Sequence, residues 1–238
     1  MCAIRLTDVA VGQRESSADF ILKGIHGHFA RGSMTAILGP NGAGKSTLIK
    51  TIIGFLKPVQ GIVEIDSSLQ QQISLLPQLS EIDKSFPITV YDLVALGAWR
   101  RLGPFKSYSK IEQNRIQQAL EQVGLQHQAH QLIGTLSGGQ LQRALFARLI
   151  VRDPQVFLLD EPFAAIDEDT CEDLIALIKA WHQMGRTVIA VLHDAALVER
   201  VFPETLLLAG EQIAWGKTAE VLTETNLQHA RRLALKGF

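Results

Sequence analysis

The residues best suited to chemistry form one short stretch near the amino terminus, Gly39-Pro40-Asn41-Gly42-Ala43-Gly44-Lys45-Ser46-Thr47. Its glycines let the backbone turn tightly, so that successive N–H groups point inward at the oxygens of a phosphate. The spacing predicts that Lys45 reaches the β- and γ-phosphates of a nucleotide and that the Ser46 hydroxyl binds Mg²⁺. This stretch is therefore predicted to be a phosphate-binding loop, or P-loop.

The segments on either side of the P-loop fit this prediction. Met34–Leu38 is short and apolar, which is typical of a buried strand, and Leu48–Ile53 has the pattern of the first turns of a helix. A helix that begins behind the loop adds partial positive charge at the phosphate site. A glycine-rich turn without a ligand is the alternative, and the strand–loop–helix context favours nucleotide binding.

A second group of candidate residues follows a run of four apolar residues, Val156–Leu159. Such a run is typical of a strand that is buried on both faces of a parallel sheet. The strand ends in Asp160 and Glu161, at the sheet edge where ligands bind. Asp160 is predicted to hold Mg²⁺, directly or through water, and Glu161 to orient and polarise a water near the γ-phosphate. The alternative is that Asp160 and Glu161 only form a charged turn where the chain leaves the sheet. The presence of a P-loop makes this interpretation less favourable.

The composition excludes several classes of protein. The chain has 238 residues, of which 47% are hydrophobic, and its net charge of −1 gives no electrostatic indication of binding to nucleic acid or to an anionic membrane. Cys2 and Cys171 are far apart and are expected to be reduced thiols. Because the sequence has no signal-peptide pattern and no apolar run of membrane-spanning length, we expect a cytosolic protein whose membrane role depends on a partner.

Strands and helices alternate along the chain, which predicts an α/β fold with a mainly parallel sheet. Further strands are predicted at 4–11, 20–30, 61–66, 73–76, 187–192, 206–208 and 213–215, and loops at 13–19 and 103–105. Helices are predicted at 89–98, 109–123, 141–151 and 174–181, and Ser109–Glu112 has the pattern of a capping box. Residues 82–150 are expected to form a helical subdomain inserted in one domain that spans residues 1–238.

The stretch Leu136-Ser137-Gly138-Gly139-Gln140 resembles the signature sequence of ATP-binding-cassette (ABC) ATPases. It precedes a predicted helix, so its hydroxyl and amide groups can face an anion at the helix N-terminus. A plain helix cap explains the glycines but not the companion motifs. These occur in the family's order: the P-loop, Gln78 as the Q-loop, the strand 156–160 with Glu161, Ala165-Ile166-Asp167 as the D-loop, and His193 as the switch histidine. The resemblance covers essentially the whole chain and implies the P-loop NTPase core of that family, with a mainly parallel sheet, an N-terminal antiparallel β portion and an inserted α-helical subdomain.

The resemblance also implies that two copies of the domain pair head to tail and share their ATP sites. ATP and Mg²⁺ at Lys45 and Ser46 of one copy would be completed by Ser137, Gly138, Gly139 and Gln140 of the other. It assigns further roles as follows: Glu161 as general base, His193 at the γ-phosphate, Gln78 at the Mg²⁺ and water site with Asp160, and Asp167 at the dimer interface. ATP would close the pair and hydrolysis would release it.

One position departs from the family pattern. The family usually places an aromatic residue after the first strand to stack on adenine, and the strand pattern puts Gln13 there. Phe20, beyond a polar loop, is the alternative. The sequence therefore predicts phosphate binding without assigning the residue that contacts the adenine.

The segment Phe86–Val90, with Asp92 and Leu96-Gly97, resembles the region after the Q-loop in zinc and manganese importer ATPases. The stretches Leu136–Arg143, Ala147-Arg148 and Leu159–Asp167 also resemble the corresponding parts of that group. This implies a subunit at the inner face of the membrane that drives metal import, with zinc favoured over manganese. Its partners would be a separate permease docked near Gln78 and, indirectly, an extracytoplasmic solute-binding protein. ATPases of haem, siderophore and cobalamin importers are one alternative, and a soluble regulatory or cofactor-assembly cassette is another.

Overall fold

The computed structural model describes residues 1–12, 20–103, 108–164 and 166–236. The predicted loop 13–19 lies outside these residues, and so do Pro104, Phe105 and Ala165. The strands are β1 (Cys2–Gly12), β2 (Phe20–Ala30), β3 (Met34–Leu38), β4 (Gln60–Ile65), β5 (Ile73–Leu76), β6 (Val156–Asp160), β7 (Thr187–Leu192), β8 (Glu204–Leu208) and β9 (Gln212–Lys217).

Six of these strands form the main sheet, in the order β5-β6-β7-β3-β8-β9. Strand β3 pairs in parallel with β7 and β8, and β6 pairs in parallel with β7, whereas β8 and β9 are antiparallel. Every residue of β3, β6 and β7 is buried, as expected of strands covered on both faces. The predicted mainly parallel sheet is confirmed, and the carboxyl ends of these three strands meet at one edge.

The N-terminal strands form a separate antiparallel sheet, in the order β2-β1-β4. Its buried side chains, such as Ile4, Leu22 and Phe29, share one apolar cluster with Ile37 of β3 and Val191 of β7. The predicted antiparallel β portion is therefore confirmed, and apolar burial joins it to the strands that lead to the P-loop.

The helices are α1 (Lys45–Ile52), α2 (Val90–Ala95), α3 (Trp99–Leu102), α4 (Lys110–Gln122), α5 (Gly138–Arg152), α6 (Glu168–Gln183), α7 (Ala195–Val201), α8 (Thr218–Val221) and α9 (Glu224–Lys236). Short 3₁₀ turns occur at Leu79–Glu81, Leu96–Ala98, Gln126–Gln128 and Ile133–Thr135. Among the residues that the structure describes, no helix is long and apolar enough to cross a membrane.

The helix predicted at 89–98 is shorter than expected. Helix α2 ends at Ala95 and continues into a 3₁₀ turn that contains Gly97. A Cβ atom on Gly97 would lie 2.4 Å from the carbonyl oxygen of Arg148 in α5. This close packing against α5, which the hydrophobic period does not reveal, accompanies the change of helix type.

The predicted capping box at the start of α4 is only half formed. Ser109 Oγ accepts a hydrogen bond from the Glu112 N–H at 3.3 Å, as predicted. The Glu112 carboxylate instead accepts from Arg101 at 2.8 Å and Arg115 at 2.9 Å. Hydrogen bonding to Arg101 lowers the pKa of Glu112. Charged donors are stronger partners for this carboxylate than the Ser109 N–H would be.

The chain forms two compact units. The first comprises Met1–Leu75, Gln155–Glu161 and Ile178–Phe238, and the second comprises Leu76–Pro154 and Pro162–Leu177. The first unit therefore contains the P-loop and the carboxyl ends of β3, β6 and β7. The second contains the helix-rich segment and also the residues that directly follow Glu161.

We predict that Gly61→Ala destabilises the protein more than Gly54→Ala does. Both glycines have left-handed φ angles, 78° and 81°, which cost an alanine about 1–2 kcal/mol. At Gly61 the new Cβ would also lie 2.2 Å from the Asp8 carbonyl oxygen, whereas nothing lies within 4 Å of it at Gly54. Denaturant titration should show at least ~1 kcal/mol more loss for Gly61→Ala. Equal losses would contradict the tight packing of β4 against β1.

Candidate nucleotide-binding site

The P-loop residues connect β3 to α1. Gly42 and Gly44 have φ angles of 80° and 86°, in the left-handed region that favours glycine, and Gly44 is the N-cap of α1. A Cβ atom on Gly39 would lie 2.1 Å from the carbonyl oxygen of Leu208 in β8. The loop therefore has the tight backbone path that a phosphate-binding loop needs.

Lys45 is the first residue of α1, and only 5% of its surface is exposed. Its Nζ donates hydrogen bonds to the carbonyl oxygens of Gly39 and Pro40, each at 2.8 Å. Burial lowers the pKa of Lys45, whereas the charges of Glu161 and Asp160 raise it. The ammonium group is thus held over the P-loop, where phosphate oxygens can replace the two carbonyl oxygens.

The structure brings Ser46 and Asp160 together, as the sheet-edge argument predicts. Ser46 Oγ donates a hydrogen bond to Asp160 Oδ1 at 3.0 Å, across 114 residues of sequence. Asp160 ends β6 and is 2% exposed. A hydroxyl and a carboxylate are hard oxygen ligands of the kind that Mg²⁺ prefers, so this pair fits the ion.

Glu161 and His193 follow the neighbouring strands β6 and β7, and their side chains are in contact. Glu161 Oε1 lies 2.5 Å from His193 Nε2. The Glu161 N–H donates to the Val191 carbonyl oxygen at 3.2 Å, and the residue has a φ of 51°. Such left-handed backbone is uncommon outside glycine and often marks a functional site. Both residues were predicted from the sequence to lie at the site, but their hydrogen bond was not.

Ser137 and Gln140 cap the N-terminus of α5. Ser137 Oγ accepts from the Gln140 N–H at 3.2 Å, and Gln140 Oε1 accepts from the Ser137 N–H at 3.0 Å. The serine hydroxyl keeps its own proton, so it can cap the helix and still donate to an anion. Capping and phosphate binding are therefore compatible roles for this residue.

Asp167 precedes α6 and is engaged by Thr170. Its Oδ1 accepts from the Thr170 N–H and its Oδ2 from the Thr170 hydroxyl, both at 2.8 Å. These hydrogen bonds lower the pKa of Asp167. Arg143 donates to the same hydroxyl at 2.6 Å. The partners Thr170 and Arg143 were not predicted from the sequence, although an aspartate directly before a helix is a capping signal that points to the N–H three residues later.

The predicted site residues divide between the two units. Those at the edge of the main sheet, Lys45, Ser46, Asp160, Glu161 and His193, lie together in the first unit. The second unit contains Ser137–Gln140, Asp167 and Gln78, the last of which precedes the 3₁₀ turn Leu79–Glu81.

Phe20 is the candidate adenine contact that the structure describes, since Gln13 lies outside the described residues. Phe20 is half-buried at the start of β2 and lines an open pocket of about 410 Å³ with Gln60 and Gln212. The next residue, Ile21, is close to the P-loop, because a Cβ atom on Gly44 would lie 3.1 Å from its carbonyl oxygen.

The sheet order, the glycine-rich turn and the lysine, serine and carboxylates at the sheet edge define a P-loop NTPase domain. The family model described as ABC transporter matches residues 22–164. The chain therefore belongs to the ABC transporter family, and the resemblance stated from its motifs is confirmed.

Curated relatives include manganese and zinc transport proteins. The chain is 40% identical over 205 residues to the manganese transport system ATP-binding protein MntB of Listeria innocua, which covers 84% of this chain and 85% of the relative. It is 35% identical over 232 residues to the zinc transport system ATP-binding protein TroB of Treponema pallidum, which covers 96% and 86%. A solved ABC transporter of metal-chelate type, in an inward-facing conformation, matches with a TM-score of 0.85 and 28% identity, covering 98% of this chain and 90% of the other.

We predict that Lys45→Ala weakens ATP binding at least ten-fold, because hydrogen bonds to a charged group contribute about 1.5–3 kcal/mol. Lys57→Ala removes the same charge from an exposed position and is the matched control. Calorimetric titration with ATP should show normal affinity for the control. Unchanged affinity in Lys45→Ala would remove the P-loop assignment.

Proposed function

We propose that this protein is the ATP-hydrolysing subunit of an importer for a divalent metal ion, zinc or manganese, that moves through a separate membrane permease. ATP hydrolysis is supported by the groups that meet at one edge of the sheet, namely Lys45, Ser46, Asp160 and Glu161. The similarity to manganese and zinc transport ATP-binding proteins supports the metal ion.

The chain's own residues divide the chemistry between binding and proton transfer. The P-loop N–H groups and Lys45 bind the phosphates, and Ser46 and Asp160 hold Mg²⁺. When bound, Mg²⁺ neutralises phosphate charge that develops during hydrolysis. Glu161 accepts a proton from the attacking water, and His193, in contact with Glu161 Oε1, orients that carboxylate and contacts the γ-phosphate.

A second copy of the chain completes the site. Ser137, Gly138 and Gly139 lie at the N-terminus of a fifteen-residue helix, which carries partial positive charge suited to a phosphate. In the proposed pair these groups and Gln140 contact ATP bound to the partner, and Asp167 lies at the interface. ATP thereby stabilises the closed pair, and hydrolysis shifts the equilibrium to the open one.

The permease partner is proposed to dock near Gln78 on the cytoplasmic face of the membrane. Gln78 would line the Mg²⁺ and water site and report its state to the helical segment that follows. An extracytoplasmic solute-binding protein would deliver the ion to the permease and would meet this chain only indirectly.

A metal-chelate importer is the second candidate. The similarity to a solved transporter of metal-chelate type favours it, and the sequence pattern shared with haem, siderophore and cobalamin importers agrees. Both candidates use the same ATPase chemistry, so uptake of the cargo distinguishes them.

Metal uptake tests the proposed function. A strain that lacks this chain should accumulate less zinc or manganese when that metal is limiting, as measured by mass spectrometry. The wild-type gene and Lys57→Ala are expected to restore the metal, whereas Lys45→Ala should not, because ATP binding is lost. Restoration of haem or siderophore uptake alone would favour the second candidate, and full activity of Lys45→Ala would contradict ATP-driven import.

A further inference from the structure

Gln142 is a buried amide on the helix that begins with the signature residues. It is 1% exposed, and its Nε2 donates a hydrogen bond to the Pro162 carbonyl oxygen at 2.7 Å. Within the described part of the chain, its Oε1 accepts no hydrogen bond. Because a buried, unsatisfied oxygen is unfavourable, packing alone does not account for glutamine here. The hydrogen bond from Gln142 to the Pro162 carbonyl oxygen accounts for the glutamine.

Pro162 is joined by a peptide bond to Glu161, the proposed general base. Glu161 has a left-handed φ of 51°, and a residue that precedes proline is restricted further. Such conformations persist only where the surroundings hold them. On one side the Glu161 N–H is bound to the Val191 carbonyl oxygen. On the other side Pro162 has no N–H to donate, and its carbonyl oxygen accepts the hydrogen bond from Gln142.

Arg143, the residue after Gln142, makes a contact near the other end of the segment that joins Glu161 to α6. Arg143 donates to the Thr170 hydroxyl at 2.6 Å, and Thr170 in turn binds both carboxylate oxygens of Asp167. Consecutive side chains of α5 therefore bind near both ends of the segment between Glu161 and α6. Side chains on a helix position a site more precisely than side chains on a loop.

We propose that Gln142 is a positioning residue, which holds the Glu161–Pro162 turn so that the Glu161 carboxylate is aimed at the attacking water. The proposal rests on the proposed general-base role of Glu161. It assigns Gln142 no contact with ATP, so its loss changes the hydrolysis rate rather than the affinity.

The test is single-turnover ATP hydrolysis by the full chain with Gln142→Met, which keeps the length of the side chain and removes the amide. The rate at saturating ATP should fall about ten- to a hundred-fold, as misplaced catalytic groups do, with the Kd for ATP changed less than two-fold. Leu145→Met, at another buried position of α5, is the control and should hydrolyse ATP at the wild-type rate. If thermal melting shows that Gln142→Met is unfolded, Gln142→Leu replaces it.

A double-mutant cycle separates positioning from a general structural effect. In a Glu161→Gln background, Gln142→Met should cause no further loss of rate, because the base that it positions is gone. A rate within two-fold of wild type in Gln142→Met, or the same fold-loss in both backgrounds, would overturn this proposal alone. A Glu161→Gln variant with normal turnover would overturn the general-base role and this proposal with it.

Discussion

The charge balance around Lys45 is the constraint on which the rest of the site depends. An ammonium group is costly to bury unless acceptors and opposite charges lie close to it. Two P-loop carbonyl oxygens and the carboxylates of Asp160 and Glu161 provide them. Parallel pairing of β6 with β7 and of β7 with β3 places these groups at one edge. The parallel order of these strands therefore brings the two carboxylates to the buried ammonium group of Lys45.

Uncommon backbone conformations occur at the same edge of the sheet. Gly39 lies against the Leu208 carbonyl oxygen, and Gly44 opens α1 with a left-handed φ. Glu161 adopts a left-handed φ without being glycine. Because these conformations are specified by their neighbours, the fold itself holds the P-loop and Glu161 in place, and preorganisation of this kind is the main source of catalytic power in many enzymes.

Patterns that are local in sequence predicted most of the fold. Strands β2, β3, β5 and β7 have the predicted bounds, because short apolar runs and glycine turns specify them. Pairing of Ser46 with Asp160 followed from the rule that parallel strands share a carboxyl edge. The bond of Glu161 to His193 and that of Gln142 to Pro162 depend on side-chain conformation between distant residues, and no local pattern encodes them. The end of α2 was also missed, because the close packing of Gly97 against Arg148 of α5 joins residues that are distant in sequence.

The most direct test of the central claim compares ATP turnover and ATP affinity in full-length Glu161→Gln. The account predicts that hydrolysis falls at least ~100-fold, because a positioned base is lost, while the Kd for ATP changes less than two-fold. Glu64→Gln, at an exposed position of β4, is the control and should turn over normally. Normal turnover in Glu161→Gln, or an equal loss in Glu64→Gln, would contradict a catalytic base at the end of β6.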